Sequence, residues 1–276
     1  MIENETAAYK LHKKGEAQYL TFKAFDRYPE LTHLFTTRHG GVSTGCCESW
    51  NLGFVEHRDT MENRIRNCGI LADVLGITTD DMVWSQQTHT TNIRVVTEED
   101  RGKGITRERD YKDVDGLITD RRGIAIVTLH SDCNALYFYD PVKHVIGLAH
   151  SGWRGTLGRI GSVMVSGMSS EFGCDPADIL AGIGPSLCQD CFEVDKDVAD
   201  AFFRENAEWR EYSYQRGTKY YLDLWAINRD IFTDSGIKEQ NISCMELCTR
   251  CNTDVFFSHR GQHGQRGTMA AVMMMK

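Results

Sequence analysis

The sequence predicts an α+β fold in one domain, with mixed or antiparallel β-sheets and helices packed outside them. Three observations predict it. Residues 116–119 (GLIT), 124–130 (IAIVTLH), 135–140 (ALYFYD) and 144–150 (HVIGLAH) are short, apolar and turn-bounded, as consecutive buried strands are. Strand-like runs outnumber helical ones, and many are joined by turns too short for a helical crossover, which argues against a doubly wound parallel sheet. No GxGxxG or GxxxxGKS/T sequence occurs, so dinucleotide and P-loop readings drop out.

The elements follow in order. The first twenty or so residues are polar and read as an edge element, with residues 1–25 expected to be loosely ordered. LTHLFTT (31–37) reads as a strand entering the turn-rich stretch RHGGVSTGCCESWNLG. Met61, Ile65, Cys68, Ala72 and Leu75 recur at helical spacing, and Gly76 stands where a helix C-terminal glycine belongs. MVWSQ (82–86) and IRVVT (93–97) read as short strands, and residues 98–113 as a charged, exposed loop. After the four central strands, residues 156–172 read as one helix ending at Gly173. ILAGIG (179–184) is a strand, residues 194–203 and 223–234 are helices, and TMAAVMMM is a closing strand.

The 276 residues are 41% hydrophobic and 25% charged, with 4 Pro against 25 Gly, so no Pro-rich linker divides residues 1–276. A net charge of -8 argues against sequence-independent nucleic-acid binding, which needs surplus Lys and Arg. The start of the chain lacks a signal-peptide layout, and no run approaches the roughly 18 apolar residues that span a bilayer. The expectation is a cytoplasmic protein without a membrane or nucleic-acid partner. Its ten cysteines then read as thiols or metal ligands in place of a disulfide framework.

Cys133 lies in HSDCNA just past one strand, His150 ends the next strand but one, and His89 follows a short strand in WSQQTHTT. Taken singly, each is most often a packing or hydrogen-bonded residue. Together, two imidazoles and a thiolate suit zinc, with a fourth position left for water or substrate. Asp132 beside Cys133 is the nearest acidic group for proton transfer. HSGWRGT runs from strand through a glycine-rich loop into a helix, so Arg154 and the helix start read as an anion site. TTRHGGVSTG offers a second such corner at Arg38.

The ordered series TTRHGGVSTG…SWNLG, Q-x-H, DGLIT, SDC, GLAHSGWRGT, IGPSLCQDCFEV and FFSHR resembles the laccase-domain, or polyphenol-oxidase-like, family over about residues 31–275. That family includes the bacterial peptidoglycan editing factor and purine nucleoside phosphorylases. The resemblance implies a four-layer α/β/β/α sandwich and a zinc at His89, Cys133 and His150, with copper as an in-vitro occupant. It also implies phosphorolysis of adenosine, inosine, guanosine and methylthioadenosine, with adenosine deamination as a second activity. Purine nucleosides and phosphate are then the partners, Arg38, Asn51, Arg154 and Arg260 line the pocket, and the chain is a monomer or weak homodimer. The sequence departs from the family pattern where Q-x-H-G reads QTHT, A-D-C reads SDC, AHAGWRG reads AHSGWRG and F-S-Y-R-R reads FSHRG.

Two other chemistries stay open. A metal-free cysteine hydrolase editing peptidoglycan precursors would use Cys133 as nucleophile. A copper-dependent polyphenol oxidase would use the same His₂Cys set. Cys188, Cys191, Cys248 and Cys251 form two CxxC pairs, separated by far more than the roughly 15–20 residues of compact zinc ribbons. The four look like a four-cysteine zinc site, as a zinc-stabilised interaction module would have, but the resemblance accounts for the first pair without a second metal, so the sequence leaves a second ion open.

Overall fold

The computed structural model describes residues 2–54 and 57–276. The first half of the chain supplies β1 (Tyr9–Lys14), β2 (Ala17–Phe22), β3 (Leu31–Thr36), α1 (Met61–Leu75), β4 (Met82–Trp84), β5 (Ile93–Val95), β6 (Gly116–Thr119) and β7 (Ala125–His130). Then come β8 (Asn134–Asp140), β9 (Val145–Ser151), α2 (Trp153–Leu157), α3 (Ile160–Phe172), β10 (Leu180–Ile183), β11 (Glu193–Val194) and α4 (Lys196–Glu205). The chain closes with β12 (Ser213–Arg216), β13 (Lys219–Leu222), α5 (Leu224–Asp234), β14 (Ile242–Cys244) and β15 (Met269–Met275).

Two six-stranded sheets result, ordered β1-β2-β3-β15-β7-β4 and β14-β10-β8-β9-β6-β5, with a small sheet β11-β13-β12 at the side. Both large sheets are mixed: β4 runs parallel to β7, β5 to β6 and β10 to β14, whereas their other pairings are antiparallel. The closing strand β15 shows why the central runs are apolar throughout. Met269, Ala271, Met273 and Met275 face the second sheet beside Phe22, Phe35, Tyr137 and Ile146. Ala270, Val272 and Met274 face α1 with Cys68, Leu71 and Ala72. A strand covered on both faces loses the alternation that a half-exposed strand would show.

On the outer face of the second sheet, Ile118, Leu136, Phe138 and Ala149 pack against Ile160, Met164 and Met168 of α3 and Phe232 of α5. The layers therefore run helix, sheet, sheet, helix in a single α+β domain. Burying each large apolar side chain contributes roughly 1.5–3 kcal/mol.

Several elements differ from expectation. Residues 9–22 form a hairpin through a turn at Gly15 (φ 60), with Tyr9, Leu20, Phe22 and Phe25 buried, so residues 9–25 are not loosely ordered. The alternation there is half polar because one face meets solvent. Helix α1 is rotated from its predicted face: Met61 and Ile65 are exposed, and Arg64, Asn67, Cys68, Leu71 and Ala72 are buried. Asn67 causes this, since its amide donates to Asn51 O at 2.7 Å and to Ser43 Oγ at 2.8 Å.

The helix expected over 156–172 is two helices, α2 and α3, broken at Gly158 and at Arg159, which is left-handed (φ 56). A Cβ at Gly158 would lie 2.7 Å from Thr91 Cγ2. The charged loop over 98–113 is not simply exposed. Asp100 and Lys103 are buried, and Asp100 Oδ1 accepts from Arg94 at 2.7 Å and from Lys103 at 2.8 Å.

Candidate active site

Two crossings between the sheets build the site. Residues 85–92 leave β4 in the first sheet for β5 in the second, and residues 131–133 leave β7 in the first for β8 in the second. In the antiparallel β8–β9 register Asn134 faces Ser151 and Ala135 faces His150, which sets Cys133 beside His150. The imidazole and sulfur donor atoms of His89, Cys133 and His150 all lie within 4.8 Å of one another. His89 Nε2 is 4.0 Å from Cys133 Sγ, and the His89 and His150 rings meet edge to face at 4.9 Å.

Asp115 organises this set, and its role was not assigned from sequence. It stands one residue before β6, is fully buried, and receives His150 Nδ1 on Oδ1 at 2.8 Å. The consecutive amides of Thr88, His89 and Thr90 donate to the same carboxylate at 3.1, 3.1 and 2.9 Å. Those bonds hold His89 in its left-handed conformation (φ 66). Thr90, where the family pattern has glycine, adds its hydroxyl to Asp115 Oδ2 at 2.9 Å. Gln87 pins the same loop to the end of β7: its Oε1 accepts from Leu129 N at 2.7 Å and its Nε2 donates to Leu129 O at 2.6 Å. The available signal for both residues was their place in the DGLIT and Q-x-H motifs.

Gly152 is required by close approach. A Cβ there would lie 2.8 Å from His89 Cδ2 and 3.1 Å from Cys133 Sγ. Charge follows from these contacts. Burial alone would raise the Cys133 thiol, but the His150 charge and hydrogen bonds from His150 and His89 bring it down to about 6. Burial would lower His150, but the Cys133 thiolate and Asp115 carry it up to about 9. Asp115 is held below the ordinary carboxylate range: burial opposes this, and the His150 and amide hydrogen bonds prevail.

The donor set fits a metal. Tetrahedral zinc with nitrogen at about 2.0–2.1 Å and sulfur at about 2.3 Å needs donor separations of about 3.3–3.6 Å. With His150 Nδ1 engaged by Asp115, Nε2 is the nitrogen left for a metal, and the carboxylate fixes the tautomer.

The set lies in a cleft of about 740 Å³ that is also lined by Phe54, Trp153, Leu187 and four arginines, Arg64, Arg109, Arg260 and Arg266. Of the residues singled out from sequence, Asp132 and Arg260 line it. Both Asp132 oxygens already accept hydrogen bonds, from Thr249 Oγ1 at 2.7 Å and from Arg260 N at 2.6 Å. The Arg260 guanidinium donates to Glu193 O at 3.2 Å.

Arg38, Asn51 and Arg154 are placed elsewhere. Arg38 donates to Glu48 O at 2.7 and 2.9 Å and to Thr253 O at 2.7 Å, over the Phe257 ring. Asn51 is buried and accepts from Gly53 N and Thr268 N, fastening a loop whose Gly53 and Thr268 face the cleft. Arg154 is exposed over its neighbour Trp153, on a helix of only five residues. The arginines missed by sequence were hidden in contexts that read as solvated: Arg64 on α1, Arg109 in the charged run and Arg266 in a loop.

A mixed-sheet sandwich with a His₂Cys donor set in an arginine-walled cleft has the form of an enzyme centre. Residues 32–276 match the family described as multi-copper polyphenol oxidoreductase laccase, and the chain belongs to that family. It is 38% identical over 253 residues to the purine nucleoside phosphorylase YlmD of Bacillus subtilis, covering 90% of this chain and 89% of that one. It is 35% identical over 193 residues to the adenosine deaminase RL5 of an unknown prokaryotic organism, covering 69% and 73%. The crystal structure of Bacillus licheniformis hypothetical protein YfiH superposes with a TM-score of 0.89 at 34% identity, covering 96% and 99%. Among the described residues no helix is long and apolar enough to cross a membrane.

Proposed function

We propose that this chain is a zinc-dependent, cytoplasmic purine nucleoside phosphorylase acting on adenosine, inosine, guanosine and methylthioadenosine, with adenosine deamination as a side activity. The observation that carries the reading is the His89–Cys133–His150 donor set opening onto a cleft walled by four arginines. Relatives named purine nucleoside phosphorylase and adenosine deaminase support it. The family description names copper. The same His₂Cys set also suits copper, so metal content has to accompany the activity assay.

His89, Cys133 and His150 would hold the zinc, which would supply Lewis acidity. The residues of the chain do the rest. Phosphorolysis requires phosphate held in line with ribose C1′ while positive charge develops on the sugar. Arg64, Arg109, Arg260 and Arg266 take the phosphate role that the sequence suggested for Arg38 and Arg154. Asp115 keeps His150 oriented, and Phe54, Trp153 and Leu187 supply apolar surface against a purine.

A panel of purine nucleosides assayed with and without phosphate tests the proposal. Release of free base that requires phosphate and disappears in Cys133→Ala is the expected result. No turnover of any purine nucleoside by zinc-loaded protein would overturn it.

A second reading has its own support. Asp115, His150 and Cys133 form a hydrogen-bonded chain in which the thiol is acidified, the arrangement of a cysteine nucleophile, its base and an orienting acid. As a hydrolase editing peptidoglycan precursors, the protein would work after zinc removal. Full loss of hydrolysis on chelation would reject that reading.

A further inference from the structure

The two CxxC turns follow β10 and β14, which are parallel neighbours in the second sheet. Their pairing continues past the strands: Ser186 N–H donates to Leu247 O at 3.1 Å, and Thr249 N–H donates to Ser186 O at 3.0 Å. That register overrides the long separation in sequence. The four sulfur atoms of Cys188, Cys191, Cys248 and Cys251 lie within 4.8 Å of one another, with Cys191 and Cys251 at 3.5 Å. A tetrahedral zinc with Zn–S of about 2.3 Å needs sulfur separations of about 3.8 Å, so closing the set takes side-chain shifts of about 1 Å or less.

Backbone donors already serve one sulfur. Cys188 N–H donates to Cys248 Sγ at 3.4 Å, and the Cys251 amide bonds to the same atom. Amides directed at sulfur stabilise a bound thiolate. Cys188, Cys191 and Cys248 pack with Leu187, Phe192, Leu222 and Leu224, whereas Cys251 is exposed and gives an ion a path in. None of the four lines the catalytic cleft. Closed four-thiolate sets of this kind serve structure and leave no position for substrate.

We propose that Cys188, Cys191, Cys248 and Cys251 bind a second metal ion, a structural zinc, which locks the two turns that brace Asp132 beside the cleft. The bracing is direct. Leu187 N–H donates to Asp132 O at 3.1 Å, and Thr249 Oγ1 donates to Asp132 Oδ1 at 2.7 Å. One turn thus grips the backbone and the other the side chain of the residue preceding Cys133.

Metal analysis of protein produced with zinc and purified under a thiol-free reductant tests this. The wild type is expected to carry two zinc ions per chain, and one is expected in each of two variants. The first is His89→Ala with Cys133→Ala, and the second replaces all four cysteines of the cluster by serine. Cobalt(II) in the first variant should give the intense sulfur-to-metal charge-transfer absorption of a four-thiolate site. A zinc-free first variant would overturn the proposal even if the four-serine protein fails to fold, whereas one zinc in both the wild type and the first variant would count against the cleft metal alone. A Cys191–Cys251 disulfide found by peptide mapping of the reductant-purified protein would also overturn the proposal.

Discussion

The cleft set of His89, Cys133 and His150 and the four-cysteine set are both gathered by turns at strand ends, yet their surroundings differ in every respect that decides chemistry. The cleft set mixes nitrogen and sulfur, is backed by the buried Asp115 carboxylate, and faces a cavity of about 740 Å³. The four-cysteine set has sulfur alone, is backed by amides and apolar side chains, and faces no part of that cavity. Open, asymmetric donor sets leave room for a reacting oxygen, whereas closed ones contribute folding energy. Asp132 is the link between them.

Five changes break or sharpen this contrast. Cys133→Ala should reduce nucleoside turnover on the order of a thousandfold, because a metal centre supplies several kcal/mol of charge stabilisation. Steady-state kinetics with metal analysis would check that the cleft metal alone is lost. Asp115→Asn leaves the ligands in place but removes the charge behind both histidines. Metal affinity or kcat should fall by about 10–100-fold, the usual effect of changing a group that orients a ligand. Arg266→Ala should raise KM for phosphate about tenfold, as the loss of a charge-assisted contact does. Phosphate-independent deamination should change less, so equal losses in both reactions would remove Arg266 from phosphate binding.

Cys248→Ser should reverse the pattern. Its expected signature is a fall of several degrees in Tm with kcat/KM within about threefold of the wild type. A kinetic loss as large as that of Asp115→Asn would erase the distinction between the two sets.

The smallest effect belongs to Asp100, which is part of neither set and does not line the cleft. Burial would raise its carboxyl, but hydrogen bonds from Arg94, Lys103 and the Thr97 amide hold it at about 2. A folded value below the unfolded one of about 3.9 contributes stability that is present above pH ~4 and lost as the pH falls toward 2. Thermal melts between pH 5 and pH 2.5 should therefore show a shallower acid decline for Asp100→Asn than for the wild type.

The central strands could be read from sequence because they depend on local pattern, apolar runs covered on two faces; His89, Cys133 and His150 stood at strand ends, but it was the family resemblance that singled them out as a set. What could not be read depends on contacts between distant segments. Asp115 acts through three amides some 25 residues earlier in the chain and an imidazole 35 residues later. Arg38 sits in a glycine-rich corner that suggested an anion, but carbonyls at Glu48 and Thr253 take its donors. The buried face of α1 is set by Asn67 bonding across to Asn51, which no helical periodicity reveals. The two CxxC pairs are farther apart in sequence than those of compact zinc ribbons, and the parallel pairing of β10 with β14 brings them together.

The most direct test of the cleft's chemistry is phosphorus NMR of inosine and inorganic phosphate incubated with zinc-loaded protein. A ribose 1-phosphate signal should grow as phosphate declines, and should be absent with Cys133→Ala. Unchanged phosphate with intact nucleoside, for inosine and for each of the other three nucleosides, would contradict the proposed phosphorolysis.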